Sequence, residues 1–109
     1  MMKKRWPIGT LATNAVEILR CDASRRITID SIHFVNFTTG NTAVDLYHVP
    51  DGEEVSENFH LERNHSVSAN TAFRLVDQRI YLEPGDRLFA YADDADHICC
   101  FIYGEEYGG

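Results

Sequence analysis

Turn-forming residues interrupt this chain about every ten positions, and that spacing constrains the fold more than any other feature of the sequence. Asp22-Ala23-Ser24, Thr38-Thr39-Gly40-Asn41, Pro50-Asp51-Gly52 and Glu83-Pro84-Gly85-Asp86 each hold residues that favour reversals. Between them lie short runs that are β-branched or alternate apolar with polar, while the 3.6-residue period of an amphipathic helix is weak throughout. Segments too short for helices and too regular for loops read as strands.

Residues 8–13 and 15–21 read as opening strands. Residues 26–37 form the strongest run, with Ile27 and Ile29 on one parity and Ile32 and Phe34 on the other. The slip at Asp30-Ser31 predicts a β-bulge, or a strand passing from one sheet to another. Thr38 to Asn41 then reads as a hairpin turn leading into 43–49. Residues 53–58 are polar, either a loop or one helical turn, and short strands follow at 59–63, 66–68, 71–76, 80–82 and 87–92. The last run, 97–103, is apolar at nearly every position, as expected of a central or interfacial strand.

About eight short antiparallel strands in one domain avoid exposed edges by closing into two layers or a barrel. The expected fold is therefore all-β: a single-domain antiparallel β-sandwich, jelly-roll-like. Ile29, Phe34, Leu46, Leu75, Leu88 and Ile102 are its expected core. A basic N-terminal arm over 1–7, a sandwich over 8–106 and a C-terminal tail over 107–109 complete the organisation. Within the arm, Trp6 beside Pro7 gains most by packing into a pocket, its own or a neighbour's. Pro84, Gly85 and Asp86 form a tight structural turn, with Gly85 expected at positive φ.

The chain has 109 residues and a net charge of −7. Lys3, Lys4 and Arg5 supply three of its ten cations, leaving seven against seventeen carboxylates. An acidic body repels phosphate backbones, so no nucleic-acid partner is expected. The longest uncharged run, 6–16, is broken by Pro, Gly, Asn and Thr, so neither a membrane span nor an export signal is expected.

Cys21, Cys99 and Cys100 have no metal-binding spacing, and adjacent cysteines on a strand point to opposite faces; reduced, structural thiols are expected. Asp93, Asp94 and Asp96 crowd one loop without an EF-hand pattern. Such a loop is a natural docking point for a basic arm from another subunit. Pro84-Gly85-Asp86 followed by His97 partly echoes the second motif of the cupins. However, there is no HxH pair, and His60, Glu62 and His65 have the wrong order and spacing for a cupin metal set. No cofactor, metal or catalytic constellation is marked, so no enzyme is expected, and a cupin-like metalloenzyme is the least favoured alternative.

Several pieces occur together in order: the early apolar strand ending at Cys21, IDSIHFVN over 29–36, the turn at Thr39-Gly40-Asn41 and the return over 44–49. LEPGDRL over 82–88, small residues over 92–95 and a closing strand with Gly104-Glu105 follow. In this order, over about residues 10–106, the chain resembles small virion proteins of tailed bacteriophages that decorate or cement heads or associate with tails and fibres. The basic Trp6-bearing leader and the His-rich middle depart from that pattern. The resemblance implies a capsid decoration protein assembled in the host cytoplasm, binding a phage capsid or tail protein as a homo-oligomer or symmetric lattice. A tail, connector or fibre position and a carbohydrate- or receptor-binding module are the alternatives. Lys3, Lys4, Arg5, Trp6, Tyr107, Asp93, Asp94 and Asp96 are the expected partner-binding residues. Deleting residues 1–6 is expected to leave a folded protein that no longer assembles.

Overall fold

Nine strands form among the residues described by the computed structural model, 2–76 and 79–108. They are β1 (Met2–Thr10), β2 (Val16–Arg20), β3 (Arg25–Asn36), β4 (Thr42–Val49), β5 (His60–Val67), β6 (Ala72–Leu75), β7 (Ile80–Leu82), β8 (Arg87–Ala92) and β9 (Ile98–Gly108). One antiparallel sheet has the order β1-β9-β3-β6, with β7 also paired to β3, and the other has the order β2-β8-β4-β5. β6 pairs with Ile32 to Val35 and β7 with Ile27 to Ile29, so the two occupy one position beside β3 in succession. Eight positions in two interleaved sheets make a jelly roll.

The parity slip in β3 is a bulge. Register with β9 shifts between Ile29 and Ser31, and the extra residue turns Ile27, Ile29, Ile32 and Phe34 to the same interior. Opposite the bulge stands Gly104, where a Cβ would strike the Thr28 carbonyl; only a residue without one lets β9 approach β3 this closely. Of the expected core residues, Ile29, Phe34, Leu46, Leu88 and Ile102 are buried and Leu75 is half-buried, because β6 is a short strand at the sheet edge.

Three local readings change. Thr38 to Asn41 does not close a hairpin, since β3 and β4 lie in different sheets and the segment carries the chain between them. Buried Asn36 shapes this crossover: its Nδ2 donates to the carbonyls of Gly40 and Val67, and its Oδ1 accepts from the Thr38 N–H and hydroxyl. Second, residues 59–63 and 66–68 merge into β5, preceded by one 3₁₀ turn at Glu57–Phe59. Third, the basic leader is an edge strand. Met2 to Pro7 pair with β9, which itself runs on to Gly108, so neither a separate arm nor a separate tail is formed by the described residues. Met1 and Gly109 lie outside the described residues. The cause is mutual: Trp6, opposite Ile102, packs against the core, and Glu106 sits between Lys4 at 3.6 Å and Arg25 at 3.5 Å.

Candidate functional site

Pairing register assigns each side chain to a face, since residues opposite one another in antiparallel strands point the same way. On β9, Ile98, Cys100 and Ile102 point inward, and Cys99, Phe101, Tyr103, Glu105 and Tyr107 point outward. Lys3, Arg5 and Pro7 of β1 stand beside Glu105, Tyr103 and Phe101, while Arg26, Thr28, Ser31 and His33 of β3 flank the other side. Tyr81 and Arg74 extend the face through β7 and β6. Phe101 and Tyr103 are each 37% exposed and Tyr81 is 58% exposed. Solvent normally sees few large rings on a sheet, so this is an aromatic surface without a cover.

The rings are held in place. Tyr103 meets His33 edge-to-face at 5.3 Å, and Arg74 Nε donates to His33 Nδ1 at 3.2 Å. Burial and the Arg74 charge both lower the His33 pKa, which keeps the imidazole neutral and able to accept that bond. The Tyr107 hydroxyl donates to Glu105 Oε2 at 2.8 Å, and that bond is the main cause of its raised pKa. Arg5, Pro7, Phe101 and Tyr103 line one open cleft, which continues past Lys3, Lys4, Asp30 and Gly104.

The structure thus brings Lys3, Arg5 and Tyr107 onto one surface. Lys4 and Trp6 point the other way, the first into its ion pair with Glu106 and the second into the core. Asp93, Asp94 and Asp96 are exposed in the β8–β9 loop, at the opposite end of β1 from the lysines. There Thr10 Oγ1 donates to Asp96 Oδ1 at 3.4 Å and the Asp94 N–H donates to Thr42 Oγ1 at 3.2 Å.

Pro84, Gly85 and Asp86 form the expected turn, with Gly85 at φ +88°. The Asp86 carboxylate is its hub, accepting from His48 Nε2 at 3.0 Å and from the backbone N–H of Asp51 at 3.1 Å and of Glu83 at 3.0 Å. Burial opposes ionisation of Asp86, but these donors outweigh it and hold the carboxyl below its ordinary range. The stabilisation is therefore complete at neutral pH and is lost as pH falls through the ordinary carboxylate range and below it. Asp86→Asn should lower unfolding free energy by about 1–2 kcal/mol at pH 7, with the gap to wild type closing toward pH 2. Urea melts at both pH values check it, and a gap that stays constant with pH would show that ionisation plays no part.

One constellation escaped the sequence reading. On the outer face of the other sheet, buried Asp45 accepts from His60 Nε2 at 2.9 Å and from the Asn64 N–H at 3.2 Å. Tyr47 lies 4.2 Å from the His60 ring and 6.3 Å from Tyr91, whose hydroxyl is pushed up to about 12 by burial and by the Asp45 charge. An Asp–His pair suggests a catalytic base, yet His60 Nδ1 also faces the Glu57 carbonyl at 3.1 Å, leaving no ring nitrogen to take a proton from a substrate. The cluster ties β5 to β4. No sequence signal could have found it, because Asp45 and His60 are fifteen residues apart and only the β4–β5 pairing joins them.

Two of the three thiols are equally unsuited to nucleophilic chemistry. Cys21 and Cys100 are buried, Cys99 is half-buried, and all three are free. Burial raises the Cys21 thiol and, with Cys99 beside it, pushes Cys100 up to about 12, so the nucleophilic thiolate form is suppressed at both. Among the described residues, no three His, Cys, Asp or Glu side chains converge as metal ligands, and every buried side-chain nitrogen or oxygen has a hydrogen-bond partner. No family model, curated protein or solved structure matches the chain.

Proposed function

We propose that this protein is a structural subunit of a tailed-bacteriophage particle, most closely a decoration protein that binds the capsid lattice and performs no catalysis. The observation that carries the reading is the uncovered aromatic face formed by Phe101, Tyr103, Tyr107 and Tyr81 on a rigid jelly roll. Aromatic residues and Arg are the groups enriched where proteins meet, and a stiff sheet presents them with little entropy left to lose. The order of segments from Cys21 to Glu105 supplies the link to phage particles.

Stability and assembly are separated in this architecture. The filled interior holds the subunit, and the outer face is left free to bind. Trp6 packs against the core and offers no flat exposed platform for a sugar ring, so the carbohydrate-binding alternative rests on the exposed rings of Tyr107 and Tyr81.

Mass spectrometry of purified heads and tails of the encoding phage tests the proposal. A copy number matching a set of symmetry-equivalent lattice sites on heads is expected. Recovery with tails alone would move the subunit to the tail, and absence from particles would overturn the reading.

A further inference from the structure

The outer face of the β1-β9-β3 sheet differs in charge from the rest of the molecule. On a chain of net charge −7, this face carries four cations, Lys3, Arg5, Arg26 and Arg74, against Asp30 and Glu105. Arg26 is further balanced by Glu83 at 2.7 Å. Two copies that repel one another elsewhere can approach here, because both signs are present and can be set opposite one another.

Around Tyr103 the two signs lie on opposite sides, while Arg26 and Arg74 stand further along the β3 side. Lys3 and Arg5 lie on the β1 side of Tyr103 and make no ion pair among the described residues, whereas Asp30 lies on the β3 side, at the bulge. A two-fold axis running along β9 interchanges those sides. It lays the β1 column of one copy over the β3 column of the other at the same height. Arg5, level with Tyr103 and Ser31, then faces Asp30 of the second copy.

Size fits as well. Four strand positions at ~4.8 Å spacing and the eleven residues of β9 at ~3.3 Å each outline roughly 700 Å². That is close to the roughly 800 Å² that each partner contributes to a stable interface. The alternative route, pairing through the free edge of β1, is obstructed by Pro7, by the register shift between Pro7 and Gly9, and by three consecutive cations that would oppose their own copies.

We infer that this face is a two-fold self-association surface on which β9 packs across β9, with Tyr103 and Phe101 meeting their counterparts and Arg5 meeting Asp30 of the second copy. The contact is isologous and closes at two copies. Aligned sheets packed face to face lie about 10 Å apart, with strand directions within about 30° of each other. The inference assigns to a second copy the face on which the proposed function rests, so a dimer through it leaves a shell protein to be met by other surfaces, while presence in a particle is read separately by mass spectrometry.

Light scattering coupled to gel filtration, together with sedimentation velocity, tests it on the full chain. The wild type is expected to be dimeric at tens of micromolar. Arg5→Glu and Asp30→Arg, each placing like charges in contact, should weaken the dimer at least roughly tenfold. The double variant R5E/D30R restores opposite charges across the axis and should recover dimerisation, an outcome that damage to the fold cannot produce. Tyr103→Ala should yield a monomer with an unchanged far-ultraviolet spectrum. A wild type that stays monomeric at ~100 µM would overturn the inference. So would an oligomer indifferent to all three single changes, or a double variant no better than either parent. A monomer that binds a shell protein through Tyr103 would assign the face to that partner instead and likewise overturn it.

Discussion

Replacing Phe34 with Ala is expected to lower the unfolding free energy by about 3–5 kcal/mol, much of what a domain this small possesses. Phe34 is the largest fully buried side chain, at 0% exposure. It stacks on Phe73 with centroids 5.9 Å apart, and Phe73 stacks in turn on His65 at 3.5 Å. Since His65 belongs to the opposite sheet, this column joins the two layers on the side where β5 and β6 form their edges. Truncation at its base removes the ring's contacts and leaves a void that Phe73 cannot fill without abandoning His65. The denaturation midpoint should fall with an unchanged slope, as expected when packing is lost but the folded and unfolded surfaces are not. Phe34→Leu should cost less than half as much, because most of the volume is retained. Equal losses for the two variants would show that volume at this site does not set stability.

The second large effect is expected at Gly85. Valine there should cost about 2–4 kcal/mol, from two sources. The backbone sits at φ +88°, which an L side chain rarely adopts and a β-branched one adopts least readily. In addition, a Cβ would collide with the Asp51 carboxyl, displacing a residue whose N–H donates to Asp86. The Gly85 N–H also donates to the Cys21 carbonyl at 2.9 Å, so the strain reaches the β2–β3 corner. Gly85→Ala carries both sources but lacks the branched methyls, so it isolates the added cost of branching. Thermal melts ordered Gly, Ala, Val from most to least stable would bear this out, and a Val variant as stable as the parent would refute it.

Placement in the sheet also changes how the basic leader is best tested. Deleting residues 1–6 would strip most of an edge strand and the Trp6 contact with the core, so lost assembly could simply report lost structure. Charge reversal at Arg5 leaves the strand intact.

Much of the fold was legible from residue order. Turn residues at fixed intervals marked most strand ends, as at Arg87–Ala92, because Gly, Pro and Asp act on the backbone within a few residues of themselves. The bulge at Asp30 was visible as a broken alternation, since side chains on a pleated strand can keep one core only if an extra residue resets their parity. The β3–β4 connection is not legible in the same way, because a four-residue turn looks the same whether it closes a hairpin or crosses between layers. Three cations in succession suggest solvent, so the leader reads as an arm, whereas its pairing partner lies about a hundred residues away.

What the sequence by itself determined is local: an all-β chain, its turns, its bulge and most of its core, each set by forces that act within a few residues. Tertiary structure alone decided which strands pair, and hence which side chains share a surface. The face that gathers Arg5, Asp30, Phe101 and Tyr103 comes from three strands far apart in the chain, and only backbone pairing between β1, β9 and β3 brings them together.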